Sequence, residues 1–302
     1  MTRVDLHASI SQAVSLQCLV LALLVSVLVG ACPMLAGAAD PAPVDEILAL
    51  TGVKRQIEQL DAHLAMHRKN SFKDLAPETK GRLDAIYEAA FDPKIILADV
   101  RNTLGQDLDV KKAALVMAFL RSPVAGAAMQ AEVDAGAADA EPEFRAFALR
   151  LRSKRPDPER VALLRRLDPA VRQSEWSLAF RMSSLRSLAA IGNVVLQPQR
   201  RRTADQLDRR LRAMRGQLER AAKDTVLARG LFVYRHVSDD DLHAYIEFYE
   251  SEMGGWLMDL LSRAMLGAIE RGAATAVARA LQEAAREDRE RPCVGLPCRP
   301  PP

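Results

Sequence analysis

Apolar residues recur three and four positions apart along almost the whole chain, and no convincing stretch alternates apolar with polar residues. Spacing of three and four places side chains on one face of an α-helix, whereas alternation is the pattern of a half-buried strand. The chain is therefore predicted to be all-α, a multi-helix bundle whose amphipathic helices each bury one face.

Aspartate or serine stands directly before proline at several places, and each such pair predicts the start of a helix. The first side chain accepts a hydrogen bond from the new helix, and the proline sacrifices no bond by lacking an N–H. The pairs are Asp92-Pro93, Ser122-Pro123, Asp157-Pro158 and Asp168-Pro169, and capping boxes open at Thr203 and Ser238. The predicted helices are 45–69, 78–91, 93–105, 110–121, 123–135, 142–154, 158–167, 169–191, 204–229, 239–251 and 253–287.

Residues 1–39 are predicted to be a signal peptide. No residue between Leu16 and Ala39 is charged, and most of this run is apolar, as in the core of a secretory signal. Small residues favour cleavage after Ala38 or Ala39, which would release a periplasmic or secreted protein. The run is also long enough for an uncleaved membrane anchor, which needs about 20 apolar residues.

A second processing signal overlaps the first. The stretch from Val29 to Cys32 resembles the lipobox of bacterial lipoproteins, in which a cysteine after small residues receives lipid. Lipidation of Cys32 would leave an apolar stretch beside the anchor, where a tethered domain usually has a solvated linker. Cleavage near Ala39 is therefore preferred, and the lipoprotein and the anchored form remain as alternatives.

Cleavage would leave two predicted helical repeats, 40–138 and 139–290, and a proline-rich tail, 291–302. Cys293 and Cys298 lie in that tail, and in an oxidising compartment so close a pair is predicted to form a small disulfide loop. A thiol-redox or metal pair is the alternative. The spacing is not Cys-x-x-Cys, however, and no histidine lies nearby.

The two repeats are inferred from segments 108–126 and 237–255, which match at a constant offset of 129 positions. Each segment predicts a helix, a Phe-x-x-Ser break that caps the next helix, and a glycine in the first turn of that helix. The matched pairs are Phe119 and Phe248, Ser122 and Ser251, Gly126 and Gly255, and the predicted N-caps Asp109 and Ser238. Close approach of a neighbouring helix is the expected reason for each glycine, which is otherwise unfavourable in a helix.

The second of these segments resembles the bacterial secreted domains grouped as domain-of-unknown-function family 2059. Their pattern is a helix that opens after serine or threonine with acids, then Phe-Tyr-x-Ser, then a glycine near the next helix start. It is carried here by Ser238, Asp241, Leu242, Phe248, Tyr249, Ser251 and Gly255. Residues 46–60 are similar to the opening helix of such proteins, whereas the first segment departs at Leu120, where the tyrosine is missing. The resemblance implies a helical, exported protein and brings no catalytic residues.

His63 and His67 lie one helical turn apart, a spacing that can hold Zn²⁺ or Cu²⁺. A zinc protease would carry glutamate directly after the first histidine, where this chain has Leu64. Met66 would suit copper, but no third ligand can be named. Two surface histidines are the simpler interpretation.

His243 and Glu247 are also one turn apart, as a general base polarised by a carboxylate would be. The predicted core stripe of this helix leaves the pair on its wetter flank, so an exposed ion pair is the simpler interpretation. That stripe comprises Leu242, Tyr245, Ile246, Tyr249 and Met253. Phe248 is predicted to be a buried aromatic residue.

Arginine is dense in residues 145–172 and in residues 200–224, which begin with Arg200, Arg201 and Arg202. Such a surface can bind anionic lipid or another polyanion. Nucleic acid is not an expected partner, because the chain is predicted to be exported and stacking aromatics are scarce there. Internal pairing is the simpler alternative, since residues 237–262 carry seven acids and no base.

The sequence contains no Gly-rich phosphate loop, nucleophile elbow or nucleotide fingerprint. We therefore expect a non-enzymatic helical interaction module of the cell envelope, without a cofactor. Its expected partner is a protein or an anionic membrane surface. The alternative is a metal-handling or hydrolytic protein that uses His63 and His67, or His243 and Glu247.

The intact mass of the mature protein is expected to match a chain that begins at Ala39 or Asp40, because small residues precede both positions. Mass spectrometry of the protein isolated from its native cells measures this directly. A diacylated chain that begins at Cys32, or the full-length chain, would contradict the prediction.

Overall fold

The computed structural model describes residues 41–60, 77–136, 140–194 and 203–290. Within these ranges the chain forms α-helices joined by short turns, and no strand. The helices are α1 (Pro41–Leu50), α2 (Val53–Glu58), α3 (Pro77–Ala90), α4 (Pro93–Asp107), α5 (Val110–Leu120), α6 (Pro123–Ala135), α7 (Ala140–Ser153), α8 (Pro158–Val171), α9 (Gln173–Val194), α10 (Ala204–Val233), α11 (Asp239–Glu250) and α12 (Glu252–Glu290). The predicted all-α multi-helix bundle is confirmed.

The largest hydrophobic core draws on both ends of the described chain. Leu48 of α1 and Val100 of α4 are fully buried in it, as are Leu242 of α11 and Leu260 of α12. Because these apolar side chains share one core, separating the helices before residue 137 from those after residue 139 would expose them to water.

A smaller core lies where α3 packs against the second half of α12. Tyr87 and Phe91 fill it together with Ala276 and Ala280 of α12. The two helices approach closely at Gly272, where an added Cβ would lie 3.0 Å from the carbonyl oxygen of Ala90. Glycine at this position therefore sets the separation of the two helices.

The caps predicted from the sequence are present at most helix starts. Asp92, Asp109 and Asp157 each accept a hydrogen bond from the backbone N–H two residues further on, at 2.8 to 3.0 Å. Ser238 Oγ accepts from the N–H of Asp241 at 3.1 Å and donates to its carboxylate at 2.6 Å. These bonds satisfy N–H groups that have no partner inside the helix.

The helix predicted to begin at Pro169 does not begin there. Helix α8 runs through Pro169 to Val171, and the chain breaks at Arg172 instead, with φ of 54°. Proline at this position lacks the N–H that would bond to the carbonyl four residues earlier, so one backbone hydrogen bond of the last turn is missing. Asp168 caps the following helix, accepting from the N–H and the hydroxyl of Ser174 at 2.8 and 2.5 Å.

The single helix predicted from residue 45 to 69 is also wrong within the described part of that range. It is divided into α1 and α2 at Gly52, whose φ of 70° lies in the left-handed region. Glycine adopts this conformation without steric cost. Apolar spacing continues across Gly52, which is why the sequence pattern alone did not reveal the break.

The two segments that match at an offset of 129 positions have the same local geometry. Ser122 Oγ accepts from the N–H of Ala125 at 3.3 Å, and Ser251 Oγ accepts from the N–H of Gly254 at 3.2 Å. The N–H of each serine donates to the carbonyl of the phenylalanine three residues earlier. In both segments one serine therefore ends a helix and starts the next.

The two helix pairs pack crosswise. Helix α5 contacts α12, and α6 contacts α11, so the first helix of each pair lies against the second helix of the other. At the crossing, the rings of Phe119 and Phe248 stack with centroids 3.7 Å apart and planes inclined by 7°. Residues at matched positions thus touch each other, as they would about a twofold axis.

The helices that flank these pairs correspond in the same way. Helix α1 contacts α2, α4 and α5, and α8 contacts α9, α10 and α11. A residue with positive φ precedes the helix after each of α1 and α8: Gly52 precedes α2, and Arg172 precedes α9. Glu46 of α1 pairs with Arg121, which directly follows α5, and Arg166 of α8 pairs with Glu250 of α11. Arg121 and Glu250 are at matched positions, so the two ion pairs have opposite arrangements of charge.

The expectation that Gly126 and Gly255 admit a neighbouring helix is wrong. A Cβ added at either position would meet nothing within 4 Å. The adjacent Gly254 is the constrained residue, because its Cβ would overlap the carbonyl oxygen of Phe248 and the Cα of Tyr249. The chain turns so sharply at Ser251 that α12 starts against the backbone of α11.

No described helix is by itself long and apolar enough to cross a bilayer. Helices α5 and α6 together satisfy the length and composition of a span, but they are bent by 74° at their break.

The Gly254→Ala substitution is expected to lower the free energy of unfolding by about 3 kcal/mol, because the methyl group would overlap backbone that cannot move aside. Gly255→Ala is the matched control and should leave stability unchanged or raise it by at most about 1 kcal/mol. Urea unfolding monitored by circular dichroism measures both. Equal effects of the two substitutions would contradict the assignment of the close contact to Gly254.

Candidate functional site

Several residues singled out in the sequence lie outside the described residues. They are Cys32, His63, His67, Arg200, Arg201, Arg202, Cys293 and Cys298. The lipidation, metal, anionic-surface and disulfide predictions that rest on them stay predictions. Within the described ranges, histidine, cysteine, aspartate and glutamate do not form a group of three or more that could hold a metal ion.

His243 and Glu247 lie on the exposed flank of α11, as predicted. His243 Nδ1 lies 3.2 Å from Glu247 Oε1, and Nε2 faces the guanidinium of Arg166 at 3.4 Å. Because arginine can only donate, this geometry makes Nε2 the acceptor and places the ring proton on Nδ1. Both ring nitrogens are therefore engaged, and the lone pair that a general base would use faces Arg166.

The predicted core stripe of α11 is mostly confirmed. Leu242, Tyr245, Ile246 and Tyr249 are buried. Met253 and Phe248, in contrast, are half-buried at the edge of the main core. Phe248 is exposed on one side because its other face stacks on Phe119 at the crossing of the helix pairs.

Two of the three arginines of α8, Arg160 and Arg166, form internal ion pairs, whereas Arg165 is exposed and forms none with a described side chain. Arg160 forms an ion pair with Asp239 and also donates to the carbonyl of Val237 at 2.8 Å. Arg172, at the end of α8, forms an ion pair with Asp259 of α12. The first basic stretch thus neutralises the acidic segment beside it, which is the simpler of the two predicted interpretations.

Arg166 makes the most complete of these contacts. Its Nε and Nη2 atoms donate to the two carboxylate oxygens of Glu250 at 3.2 and 2.8 Å. The hydrogen bonds from Arg166 lower the pKa of Glu250, and those to Glu250 raise the pKa of Arg166. Both side chains remain well exposed, so solvent screens the pair and its contribution to stability is small.

The arginines of α10 are arranged differently. Arg209, Arg212 and Arg215 are exposed, and none of them forms an ion pair with another side chain that the structure describes. They lie within the first part of a 30-residue helix. With Arg220 they extend over about 16 Å of the helix axis, at 1.5 Å per residue.

Buried residues of the same helix hold this basic segment in place. Leu211 and Ala222 of α10 are buried, and α10 contacts α8, α9 and α6. Further along α10, Lys223 pairs with Glu219 at 2.8 Å. The unpaired arginines are thus confined to the start of the helix, directly after the segment that contains Arg200, Arg201 and Arg202.

A polar cluster, formed by half-buried Glu132 and the buried Tyr234, Tyr245 and Tyr249, joins α6 to α10 and α11. Oε1 of Glu132 accepts a hydrogen bond from the hydroxyl of Tyr234 at 2.6 Å and a longer one from Tyr245 at 3.4 Å. The rings of Tyr245 and Tyr249 pack edge to face, with centroids 5.0 Å apart. Burial raises the pKa of Glu132, and the two tyrosine hydrogen bonds partly offset that effect.

The corresponding contact on the other side of the crossing is apolar. Leu261 stands 129 positions after Glu132, and Val116 and Leu120 stand 129 positions before Tyr245 and Tyr249. All three are buried in the main core. A leucine is therefore accommodated at the position matched to Glu132. The carboxyl group and its tyrosine partners occur only at the contact between α6 and α11, and not at the matched contact between α5 and α12.

Glu132 was not predicted from the sequence, although Tyr245 and Tyr249 were placed on the core stripe of α11 without a partner for their hydroxyls. The available signal was that Glu132 lies on the face of α6 that carries Ala125 and Ala128, at spacings of seven and four. A glutamate on a buried face needs a partner, and buried tyrosine hydroxyls provide one.

Comparison of the chain with protein-family models, curated proteins and solved structures gives no match. The resemblance to family 2059 rests on sequence alone, on the residues of the second matched segment and on residues 46–60.

The stacked phenylalanines are expected to stabilise the crossing only moderately. Phe248→Ala should lower the free energy of unfolding by about 1 to 2 kcal/mol, since the ring is half-buried. A double-mutant cycle with Phe119→Ala, measured by urea unfolding, should give a coupling energy of about 0.5 to 1.5 kcal/mol. The same cycle between Phe248→Ala and Phe144→Ala, in a separate cluster, should be additive. Additivity in the first cycle would show that the stack contributes nothing.

Proposed function

We propose that this protein is an exported, non-enzymatic helical module of the cell envelope that binds an anionic membrane surface through the start of α10. The binding surface includes Arg209, Arg212 and Arg215, and Arg200, Arg201 and Arg202, which precede α10 in the sequence, are proposed to contribute to binding. The signal peptide would deliver the folded part outside the cytoplasm.

The observation that carries the proposal is the different use of arginine in α8 and α10. Arg160, Arg166 and Arg172 are paired with acids of α11 and α12. Those at the start of α10 are exposed and lack an ion pair with any described side chain. Each basic residue held near an anionic bilayer contributes about 1 kcal/mol to binding. Arginines without an ion-pair partner on a helix can therefore attract an anionic bilayer more strongly than arginines whose charge is already neutralised by an acid.

The geometry at His243 also supports a non-enzymatic role. A hydrolytic site there would need a nitrogen free to take a proton, and both ring nitrogens already face Glu247 and Arg166. The metal-handling alternative depends on His63 and His67, and none of the contacts of the described residues favours it.

We further propose that the fold arose by duplication, with one unit before residue 139 and the other after it. The shared serine breaks, the crosswise packing and the matching left-handed residues support this proposal. Membership of the second unit in family 2059 is part of the same proposal and is supported by the motif around Phe248.

The proposal predicts salt-sensitive binding to vesicles that contain phosphatidylglycerol, measured by co-sedimentation. Replacing Arg209, Arg212 and Arg215 together with serine should lower the affinity about 10- to 100-fold, because up to about 3 kcal/mol of attraction is lost. Serine at Arg200, Arg201 and Arg202 should lower it to a similar extent. Raising the salt concentration should weaken vesicle binding by the wild-type protein and should have little further effect on binding by the variants.

The matched control replaces Lys54, Arg55 and Lys94 with serine. These bases are also exposed and free of ion pairs with described side chains, so the net charge changes equally at another place. Equal loss in the control would show that only net charge matters. Failure of the wild-type protein to bind anionic vesicles at low salt would refute the membrane proposal outright.

A further inference from the structure

We propose that Glu132, Tyr234, Tyr245 and Tyr249 form a proton-controlled latch, which holds α6 against α10 and α11 when the carboxyl group is protonated and loosens when it ionises. The proposal goes beyond membrane binding and does not depend on it. Its basis is the position of one carboxyl group at a contact between the two halves of the chain.

The latch connects helices that are far apart in sequence. Glu132 lies 102 residues from Tyr234 and 113 residues from Tyr245. Tyr234 directly follows the last residue of α10, and Tyr245 lies in the second turn of α11. The carboxyl group therefore bonds at the junction of these two helices, so loss of its contacts would loosen α6 there while Ala125 and Ala128 of α6 stay in the main core.

The groups that face the carboxyl are hydroxyls and not bases. The tyrosines are themselves held in the neutral form, because burial raises their pKa values further above the ordinary value of 10. Two arginines near this end of α10 are directed elsewhere: Arg229 donates to Glu141 and Arg235 to Glu143, both on α7. Ionised Glu132 would therefore lack a buried counter-ion, which is costly in a low-dielectric site.

The apolar counterpart shows that this polarity is not required for packing. Leu261 occupies the matched position and is buried beside the main core. A leucine at residue 132 would give a contact that is insensitive to pH. Glutamate at this position instead makes the free energy of the contact depend on a proton.

The sign of the pH dependence follows from the raised pKa of Glu132. The folded protein binds this proton more tightly than the unfolded chain, whose glutamate titrates near 4.5. The stabilising contribution is therefore fully present below pH 4.5 and is lost as the pH rises through the folded-state pKa.

The direct test is a titration of the wild-type protein by carbon-13 NMR of its glutamate carboxyl groups, with Glu132 assigned from its absence in Glu132→Gln. The Glu132 signal should titrate with a midpoint above 4.5. A midpoint at or below 4.5 would overturn the proposal, and this measurement does not require any variant to be stable.

The coupling to opening is tested by hydrogen exchange of the α6 amides, corrected for the intrinsic pH dependence of exchange. Protection in the wild-type protein should fall by up to 10-fold per pH unit between pH 4.5 and the measured midpoint, the limit for one proton. Glu132→Gln and Glu132→Leu cannot ionise and should lack this fall. A fall of equal size in all three proteins would overturn the latch.

Glu250→Gln provides a control of opposite sign. The pKa of Glu250 is lowered by Arg166, so the wild-type protein should gain stability relative to this variant as the pH rises through the acidic range. Relative to Glu132→Gln it should lose stability over the range above pH 4.5. The same sign for both differences would show that global charge, and not the buried site, governs the response. All measurements are made without lipid, so their failure would leave the vesicle result unaffected.

Discussion

A helix break at a single serine is the constraint on which the rest of this bundle depends. At Ser122 and at Ser251 the chain leaves one helix and enters the next with no loop between them. So short a connection fixes the angle between two helices, and α5 and α6 meet at 74°. Two such bent pairs can bury their inner faces only by crossing each other. The stack of Phe119 on Phe248 is the point at which they cross.

The sequence predicted the helical class, most helix starts and the matched serines correctly. These features depend on local chemistry, namely a capping side chain, a proline that lacks an N–H and apolar spacing of three and four. The errors arose where backbone conformation overrode the pattern. Apolar spacing continues through Gly52, and a cap signal at Asp168 serves a helix that begins five residues later.

The candidate site was harder to predict because it depends on contacts between distant parts of the chain. Arginine density was visible in both basic stretches, but whether an acid faces each arginine is decided by the packing of α8 against α11. Glu132 gave even less signal, because its partners lie more than 100 residues away and its matched position is a leucine. The predicted steric role of glycine in the second segment was assigned to the wrong one of two adjacent glycines. The steric need was real, but it falls on Gly254 and not on Gly255.

The matched helices α5 and α11 differ in the charge of their outer faces. At matched positions, α5 carries the apolar Val110, Ala114 and Ala118 on its outer face, where α11 carries Asp239, His243 and Glu247. The acids of α11 pair with Arg160 and Arg166 of α8, whereas Arg209, Arg212 and Arg215 of α10 form no ion pair with a described side chain. Under the proposed duplication, the matched helices would have diverged on their outer faces while the crossing was kept.

Helix α12 has 39 residues and extends over about 58 Å, well beyond the crossing. Its distal turns are covered by α3 through a small aromatic cluster that is separate from the main core. Regions with fewer buried apolar contacts open at lower free energy than the centre of a fold. We therefore expect α3, the distal end of α12 and the part of α9 that packs on them to open at lower free energy than the crossed helices.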